Sequence, residues 1–241
     1  MTYFGIIGFP LQHSFSAKFF NRKFAEEHLD AQYQLYPLDS VEEFPALCRK
    51  HDFTGLNVTL PYKESIIPYL DELDDTAKQI GAVNVICFHN NRLVGYNTDT
   101  LGFMDSVRPL LKPWHTQALI LGTGGAAKAV RYGLNKLNIP SSFVSRNPER
   151  GIPYEQLSEQ LIHDNLLIVN CTPLGMYPDI SDCPPLPYQF ITPQHLVYDV
   201  IYNPEQTLFL KKAHEQGAAT QNGLLMLQGQ AKAAWKIWSE S

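Results

Sequence analysis

Long apolar runs are what this sequence most plainly lacks, and no stretch approaches the length that crosses a bilayer. The opening Met1-Thr2-Tyr3-Phe4-Gly5 has no basic segment followed by a long apolar one, so a soluble protein without a membrane partner is expected. Cysteine pairing is missing as well. Cys48, Cys87, Cys171 and Cys183 lie far apart with no C-x-x-C spacing, which argues against a disulfide framework and against a structural zinc site. They read as reduced thiols of a cytoplasmic protein, and no metal is expected. Basic residues are few: 19 Lys plus Arg face 24 Asp plus Glu, giving a formal charge of -5. Without a Lys/Arg stripe, nucleic acid is not an expected partner. No internal repeat stands out. What is there is a globular composition: 241 residues at 44% hydrophobic content suffice for one large domain or two modest ones, and two are expected.

Short apolar runs alternate with amphipathic stretches, the pattern of βαβ units and mostly parallel sheets, so the fold class is α/β. Strands are predicted at 3–8, 33–38, 55–59 and 85–88, with helices at 16–28, 41–49 and 74–80 between them. A second series, expected to be parallel, follows at 118–121, 142–145, 166–170 and 196–200. Leu224, Leu227, Ala231, Ala234 and Trp238 recur at helical spacing and predict a helix over 223–238. The proline-rich segment 177–187 cannot be regular structure and is predicted to be a loop over the second domain.

Three polar runs in the first half carry candidate chemistry. Asn57-Val58-Thr59-Leu60-Pro61-Tyr62-Lys63 places a hydroxyl, an amide and an amine at a strand end. Pro61 stops the strand, and Lys63 then sits where a helix could begin, a common place for chemistry in α/β folds. Gly81-Ala82-Val83-Asn84 precedes an apolar strand, and Gly95-Tyr96-Asn97-Thr98-Asp99-Thr100-Leu101-Gly102 puts a carboxylate at the start of a predicted helix. Taken singly, Asn84 reads as a turn residue, Asp99 as a helix cap and Lys63 as a solvated surface lysine. Together they make Lys63 the first catalytic candidate.

A glycine loop opens the second half. Gly122-Thr123-Gly124-Gly125-Ala126-Ala127 fits G-x-G-x-x-G/A directly after an apolar strand and before a helical stretch at 128–137, the context that gives the motif meaning. Gly122 permits a tight turn, Gly124 a close backbone approach to a pyrophosphate, Ala127 close helix packing, and the helix start offers unpaired N–H groups. The next strand ends in Ser145-Arg146-Asn147, where an acidic residue would favour a ribose diol. Arg146 instead suggests a 2'-phosphate, with Arg150 near enough to assist and Ser145 and Asn147 as neutral donors. Solvated surface arginines are the bland alternative.

From 8–230 the chain resembles the shikimate dehydrogenase family. Its motifs occur in order as Gly8-Phe9-Pro10-Leu11-Gln12-His13-Ser14-Phe15-Ser16, then 57–63, 81–84, Asn97-Thr98-Asp99, 122–126, Asn170-Cys171-Thr172-Pro173-Leu174-Gly175-Met176, Tyr202-Asn203-Pro204 and Met226-Leu227-Gln228-Gly229-Gln230. The resemblance implies an α/β substrate-binding and catalytic domain at 1–100, completed by a C-terminal helix at 223–241. It also implies a Rossmann-like NADP-binding domain with a mostly parallel sheet at 101–222, an active site in the cleft between the two, and closure that gates catalysis. By position, Ser14 and Ser16 would hold a substrate carboxylate, Thr59, Asn84, Asp99 and Gln230 its hydroxyls, and Tyr202 would close the pocket. Lys63 and Asp99 would do the chemistry as a coupled pair. Gly122, Thr123, Gly124, Gly125 and Ala126, the clamp residues, Val200 and Gly223 would border NADP. Ala17 stands where the family usually has proline, the segment between Arg150 and Leu166 is shorter than expected, and Ser145 and Asn147 replace the usual neighbours of the clamp arginine.

The implied activity is reversible NADPH-dependent reduction of 3-dehydroshikimate to shikimate, a step in aromatic amino-acid biosynthesis, by a monomer or homodimer. A quinate/shikimate dehydrogenase with broader substrate and NAD use would share Lys63 and Asp99, and Arg146 argues against it. A non-catalytic NADP-binding sensor would keep the glycine loop but have no need of Lys63, Asp99 and Gln230 together. A methylene-tetrahydrofolate dehydrogenase type would not call for the paired Ser14 and Ser16.

Overall fold

The computed structural model describes residues 1–11, 14–90 and 92–240; Gln12 and His13 of the first motif lie outside them. The chain forms two compact units, Met1–Thr98 with Ala231–Ser241, and Asp99–Gln230. Both are α/β, and their sheets differ in kind.

In the first unit, β1 (Thr2–Gly8) lies between β2 (Ala31–Pro37) and β3 (Phe53–Val58), parallel to both. The crossover to β2 is helix α1 (Phe15–Glu26), whose Ser16, Phe20 and Phe24 recur every fourth residue and are buried. Phe20 stacks on Tyr33 with centroids 4.9 Å apart. Trp238, from the far end of the chain, packs against Phe4 and Phe20 and donates its indole N–H to the Ile86 carbonyl at 3.0 Å. A second apolar cluster that includes Ile7, Leu56, Val58, Tyr62 and Ile86 completes this core. β5 (Val85–His89) and β6 (Arg92–Tyr96) join antiparallel, and the short β4 (Glu72–Leu73) closes the edge. The order is β2-β1-β3-β5-β6-β4, a mixed sheet rather than the mostly parallel one read from the alternation of runs.

Two expected helices differ. No helix begins at Lys63: residues 60–66 are successive turns that end in a 3-10 turn at Ile67–Tyr69. Pro68 has no N–H to donate and disfavours helical backbone at Ile67, so a helix starting after Pro61 has no room. The stretch expected as one helix over 41–49 is a 3-10 turn, Val41–Glu43, followed by α2 (Phe44–Lys50). Pro45 in its first turn cannot bond back to the Val41 carbonyl, which interrupts the ladder. Between these and β5 runs α3 (Asp75–Ile80), capped by the Asp74 carboxylate and ended by Gly81 at φ 69°.

The second unit holds a five-stranded, wholly parallel sheet in the order β11-β10-β9-β7-β8. β7 (Ala118–Leu121), β9 (Leu167–Asn170) and β10 (Leu196–Asp199) are buried at every position, as strands covered on both faces must be. On one face Ala118, Ile120 and Tyr198 pack with α4 (Asp99–Val107) and α5 (Gly125–Lys136). On the other, Leu119, Leu121 and Val197 pack with α6 (Glu159–Asp164) and α7 (Leu208–Glu215). β8 (Ser141–Val144) and β11 (Ala219–Gln221) are the edges. The chain leaves β7 toward β8 and returns on the other side to β9, so the order reverses at the C-terminal end of β7, the position at which open α/β sheets take ligands. The proline-rich stretch 177–187 holds no helix or strand, and its Leu186 packs with Leu119, Leu121 and Val197 on the second of these faces.

Helix α8 (Leu224–Ser239) is divided between the units, where the sequence reading placed it whole with the first. Ala231, Ala234 and Trp238 join the aromatic core of the first unit. One turn earlier, α8 meets α4 backbone to backbone: a Cβ on Gly102 would collide with the Met226 carbonyl oxygen and lie 2.8 Å from the Gln230 nitrogen. Alanine in a helix is ordinarily better than glycine by about 1 kcal/mol. Overpacking costs about 1–3 kcal/mol, and here the obstructing atoms are main chain and cannot rotate away. Gly102→Ala is therefore expected to lower stability by about 1–2 kcal/mol in urea unfolding; a midpoint at or above the parent's would show that the helices part freely.

Candidate active site

The first unit gathers its polar motif residues around the C-terminal ends of β1 and β3. Ser14 caps α1, its oxygen accepting from the Ala17 amide at 3.4 Å, and Ser16 lies buried one position into the helix. Thr59 follows β3 and is held by its amide to the Ile7 carbonyl at 2.9 Å. Lys63 is half-buried rather than solvated, and its carbonyl accepts from the Val83 amide at 2.7 Å. That bond fastens the turns after β3 to the loop carrying Asn84, whose own carbonyl takes the Val58 amide at 2.9 Å. Asn84, 2% exposed, is more than a turn residue. Its Oδ1 accepts from the Thr98 amide at 2.7 Å and its Nδ2 donates to Thr98 Oγ1 at 3.0 Å. The residue after Thr98 is Asp99.

Beneath these lies a buried polar chain that the motifs did not reveal. Tyr33 donates to Asn57 Oδ1 at 2.6 Å, and Asn57 Nδ2 donates to the Asn84 carbonyl at 3.2 Å. Burial holds the pKa of the Tyr33 phenol well above its ordinary value, against the pull of the Ser16 hydroxyl, so it remains a neutral hydrogen-bonding group. Asn21 clamps the backbone of Tyr33 from both sides, at 2.8 and 2.9 Å. Tyr33, Asn57, Asn84 and Thr98 thus share one connected set of bonds. A tyrosine in the apolar strand Ala31–Pro37 gives no sign of this in sequence, because strand alternation accounts for it equally well.

In the second unit Asp99 is the first residue of α4 rather than its cap, and it is 4% exposed. The Gly102 contact brings its helix against the segment of α8 that bears Gln230. Gly229 completes that approach, since a Cβ there would lie 3.0 Å from the Gly102 Cα. Val200 and Gly223 are also brought together: the Gly223 amide donates to the Ile201 carbonyl at 2.9 Å, and a Cβ on Gly223 would collide with the Val200 carbonyl oxygen. Tyr202 follows Ile201, half-buried.

The glycine loop has the geometry a dinucleotide needs. Gly122 has φ 101°, a conformation side chains rarely adopt, and its amide donates to the Val144 carbonyl at 2.8 Å. Thr123 bridges to Gly124, the cap position of α5, which has no side chain to occupy the helix start. A Cβ on Gly124 would meet nothing within 4 Å, so the space before the first N–H groups of a 12-residue helix is open. Gly125 and Ala126 form its first turn, and Ala127 is fully buried against the sheet. These residues fit a pyrophosphate. At the clamp, Ser145 Oγ accepts from the Asn147 amide and Asn147 Oδ1 from the Glu149 amide, each at 3.0 Å. Both oxygens are therefore used in shaping a turn, which the Arg150 amide closes on the Asn147 carbonyl at 3.0 Å. Arg146 stands exposed on that turn, and its charge counters the burial that pushes the neighbouring Tyr154 phenol up to about 12.

The substrate-binding-domain model of shikimate dehydrogenase matches residues 6–86. The shikimate dehydrogenase (NADP(+)) of Desulforamulus reducens is 37% identical over 262 residues, covering 98% of this chain and 89% of the relative. The chain belongs to the shikimate dehydrogenase family. Among solved structures of that family, the enzyme from Aquifex aeolicus matches with a TM-score of 0.88 at 37% identity, covering 100% of this chain and 93% of that one. The Thermus thermophilus family member, solved in complex with NADP(H) and shikimate, matches with a TM-score of 0.88 at 31% identity over 100% and 94% of the two chains. No helix among the described residues is long and apolar enough to cross a membrane, and no group of three or more His, Cys, Asp or Glu there could hold a metal ion. No disulfide joins the four cysteines, all of them among the described residues.

The sequence reading also passed over Asp199, a fully buried carboxylate at the end of β10. The available signal was a lone charged residue closing an apolar strand. Burial raises its pKa from 3.8 to about 7, although hydrogen bonds from Thr207, Ile201 and Asn170 pull the other way. Between those values the folded protein keeps a proton that the unfolded chain has released. The contribution to stability is therefore full below the unfolded pKa and is lost as pH rises toward 7, at up to about 1.4 kcal/mol per pH unit. Urea unfolding of the parent and of Asp199→Asn between pH 4.5 and 8 is expected to give a parent-minus-variant difference that falls with pH and levels off above 7. Parallel profiles would show that Asp199 stays ionised throughout.

Proposed function

We propose that this chain catalyses the reversible NADPH-dependent reduction of 3-dehydroshikimate to shikimate, a step in aromatic amino-acid biosynthesis. The observation that carries the reading is the likeness to shikimate dehydrogenases (NADP(+)) along 98% of the chain, taken with the glycine loop at the sheet's switch point. The Thermus relative's complex with NADP(H) and shikimate supports the same pair of ligands. The first unit is the substrate-binding part and the second the NADP-binding part. We place the enzyme in the cytoplasm as a monomer or homodimer.

Bound NADPH supplies the hydride. The chain's own work is to bind the ring acid, hold its carbonyl, and manage the charge that appears there. Ser14 and Ser16 take the carboxylate at the start of α1; Thr59, Asn84 and Gln230 take hydroxyls, with Tyr202 over the pocket. Lys63 Nζ stabilises the developing oxyanion and delivers a proton to it. Asp99 accepts a hydrogen bond from a substrate hydroxyl. Arg146 pairs with the 2'-phosphate, assisted by Arg150. Shikimate oxidation measured with NADP and NAD side by side tests the reading; no turnover with either cofactor would overturn it.

Two substitutions separate the roles. Lys63→Ala is expected to lower kcat by about 100-fold or more with a smaller change in substrate KM, because a general acid contributes roughly 10²–10⁴-fold. Steady-state kinetics that leave kcat within a few-fold of the parent would remove Lys63 from the chemistry. Arg146→Ala should weaken NADPH binding by roughly 10- to 100-fold and leave NADH nearly unchanged, since hydrogen bonds to charged groups contribute about 1.5–3 kcal/mol. Equal losses for both cofactors in a fluorescence titration would assign Arg146 to the fold.

A further inference from the structure

Asp199 takes no part in the mechanism above, yet three segments converge on it, one of which lies against the glycine loop. Its Oδ1 accepts from Asn170 Nδ2 and from the Ile201 amide, each at 3.0 Å, and its Oδ2 accepts from Thr207 Oγ1 at 2.6 Å. Asn170 ends β9. With its NH2 turned to the carboxylate, its carbonyl oxygen must face the other way, where it accepts from the Thr172 amide at 3.0 Å and the Thr172 hydroxyl at 2.7 Å. That folded turn is what Gly122 lies against: a Cβ on Gly122 would meet Thr172 Cγ2 at 3.2 Å and the Cys171 carbonyl carbon at 3.4 Å. Ile201 lies between Val200 and Tyr202 and anchors Gly223 through its carbonyl. Thr207 caps α7, its oxygen accepting from the Leu210 amide at 3.3 Å.

A buried carboxylate is a poor device for stability alone, because well-packed apolar residues serve as well or better. What a carboxylate does that an apolar side chain cannot is accept from several converging donors and so fix their directions. Here the donors lead to the turn behind Gly122 and to the Val200–Tyr202 segment, which are separate in sequence and joined through this one group.

We propose that Asp199 is a positioning residue for the dinucleotide, holding the Asn170–Thr172 turn against Gly122 and the Val200–Tyr202 segment in one fixed arrangement. The proposal rests on the NADPH reading of the glycine loop. It takes the first position of that loop to be set by a side chain one strand beyond the adjacent one.

Above pH 8, where the Asp199 carboxylate is ionised, Asp199→Asn keeps the shape and one accepting oxygen but replaces the other by an N–H2 and removes the negative charge on which the Asn170, Ile201 and Thr207 donors converge, so the Thr207 hydroxyl must turn and every bond in the set weakens. Fluorescence titration with NADPH is expected to show a Kd raised roughly 5- to 20-fold. The KM for NADPH should rise in parallel, and the KM for shikimate, which the Tyr202 end of the same segment can move, by no more than about a third as much, a split that a general loosening of the fold would not produce. Thr207→Val removes one donor to the carboxylate, and with it the cap of α7, while changing no residue of the turn behind Gly122; with one of its three donors gone the carboxylate is held less firmly, and the NADPH Kd should shift in the same direction by less. A folded Asp199→Asn protein with parental NADPH affinity would overturn the proposal, as would equal increases in both KM values. If Asp199→Asn does not fold, parental NADPH affinity in Thr207→Val overturns it instead. Failure of the parent chain itself to bind NADPH would sink the cofactor reading, a result distinguishable from the others.

Discussion

Parallel pairing at the centre of the second sheet is the constraint on which the glycine loop depends. Leu121 stands opposite Asn170, and its carbonyl takes the Cys171 amide at 2.9 Å. Because the two strands run the same way, both chains leave the sheet at one edge and their first loop residues are neighbours. That places Gly122 against Thr172 and leaves the start of α5 pointing into open space. Antiparallel pairing would send the two exits to opposite ends. The first sheet repeats the arrangement where β1 and β3 run parallel, with the Thr59 amide on the Ile7 carbonyl, so Gly8 and Thr59 leave together. A Cβ on Gly8 would lie 2.8 Å from the Leu60 carbonyl oxygen, which makes glycine the residue that permits the approach.

On the substrate side, hydrogen bonding rather than charge does the arranging. Asn84 grips Thr98 through both ends of its amide, Asn57 grips Asn84, and Tyr33 donates to Asn57. Every group in this set is neutral and buried or half-buried, so the bonds are exchanged little with water and the geometry is correspondingly stiff. A stiff neutral frame suits the role proposed for Lys63, because the frame itself adds no counter-ion of its own.

How much of this could be read from residues alone follows from which signals are local. The fully buried strands of the second sheet were found because both faces are covered and the sequence runs apolar without a break, as in Ala118–Leu121 and Leu167–Asn170. β4, β6, β11, α6 and α7 were not found: they are short or carry polar residues, and their membership is decided by partners far away in sequence. The antiparallel β5–β6 pair was missed for the same reason, since strand direction is not a property of a strand's composition. Lys63, Asn84, Asp99 and Arg146 were visible as polar residues at the ends of apolar segments. Tyr33 was not, because it looks from sequence like an ordinary strand residue; Asp199 shows only as a lone charge closing an apolar strand, and both acquire meaning from the neighbours that tertiary packing supplies. The helix expected at Lys63 failed because Pro61 was weighed and Pro68 was not.

The division of α8 has a consequence for how the chain is made. The aromatic core of the first unit, built on Phe4, Phe20, Phe24 and Tyr33, is completed by Ala231, Ala234 and Trp238. A ribosome delivers β1 first and that last turn after the whole of the second unit. The earliest strand therefore emerges into a core that stays open on one side while well over a hundred further residues are added. The contacts that finally seal it have among the largest sequence separations in the molecule, Trp238 to Phe4 being one. Contacts of that range are slow to form, and until they do the indole's place is an exposed apolar surface. Synthesis thus runs through a nascent chain whose second unit can be complete before its first, a state in which a chaperone has an apolar face to hold.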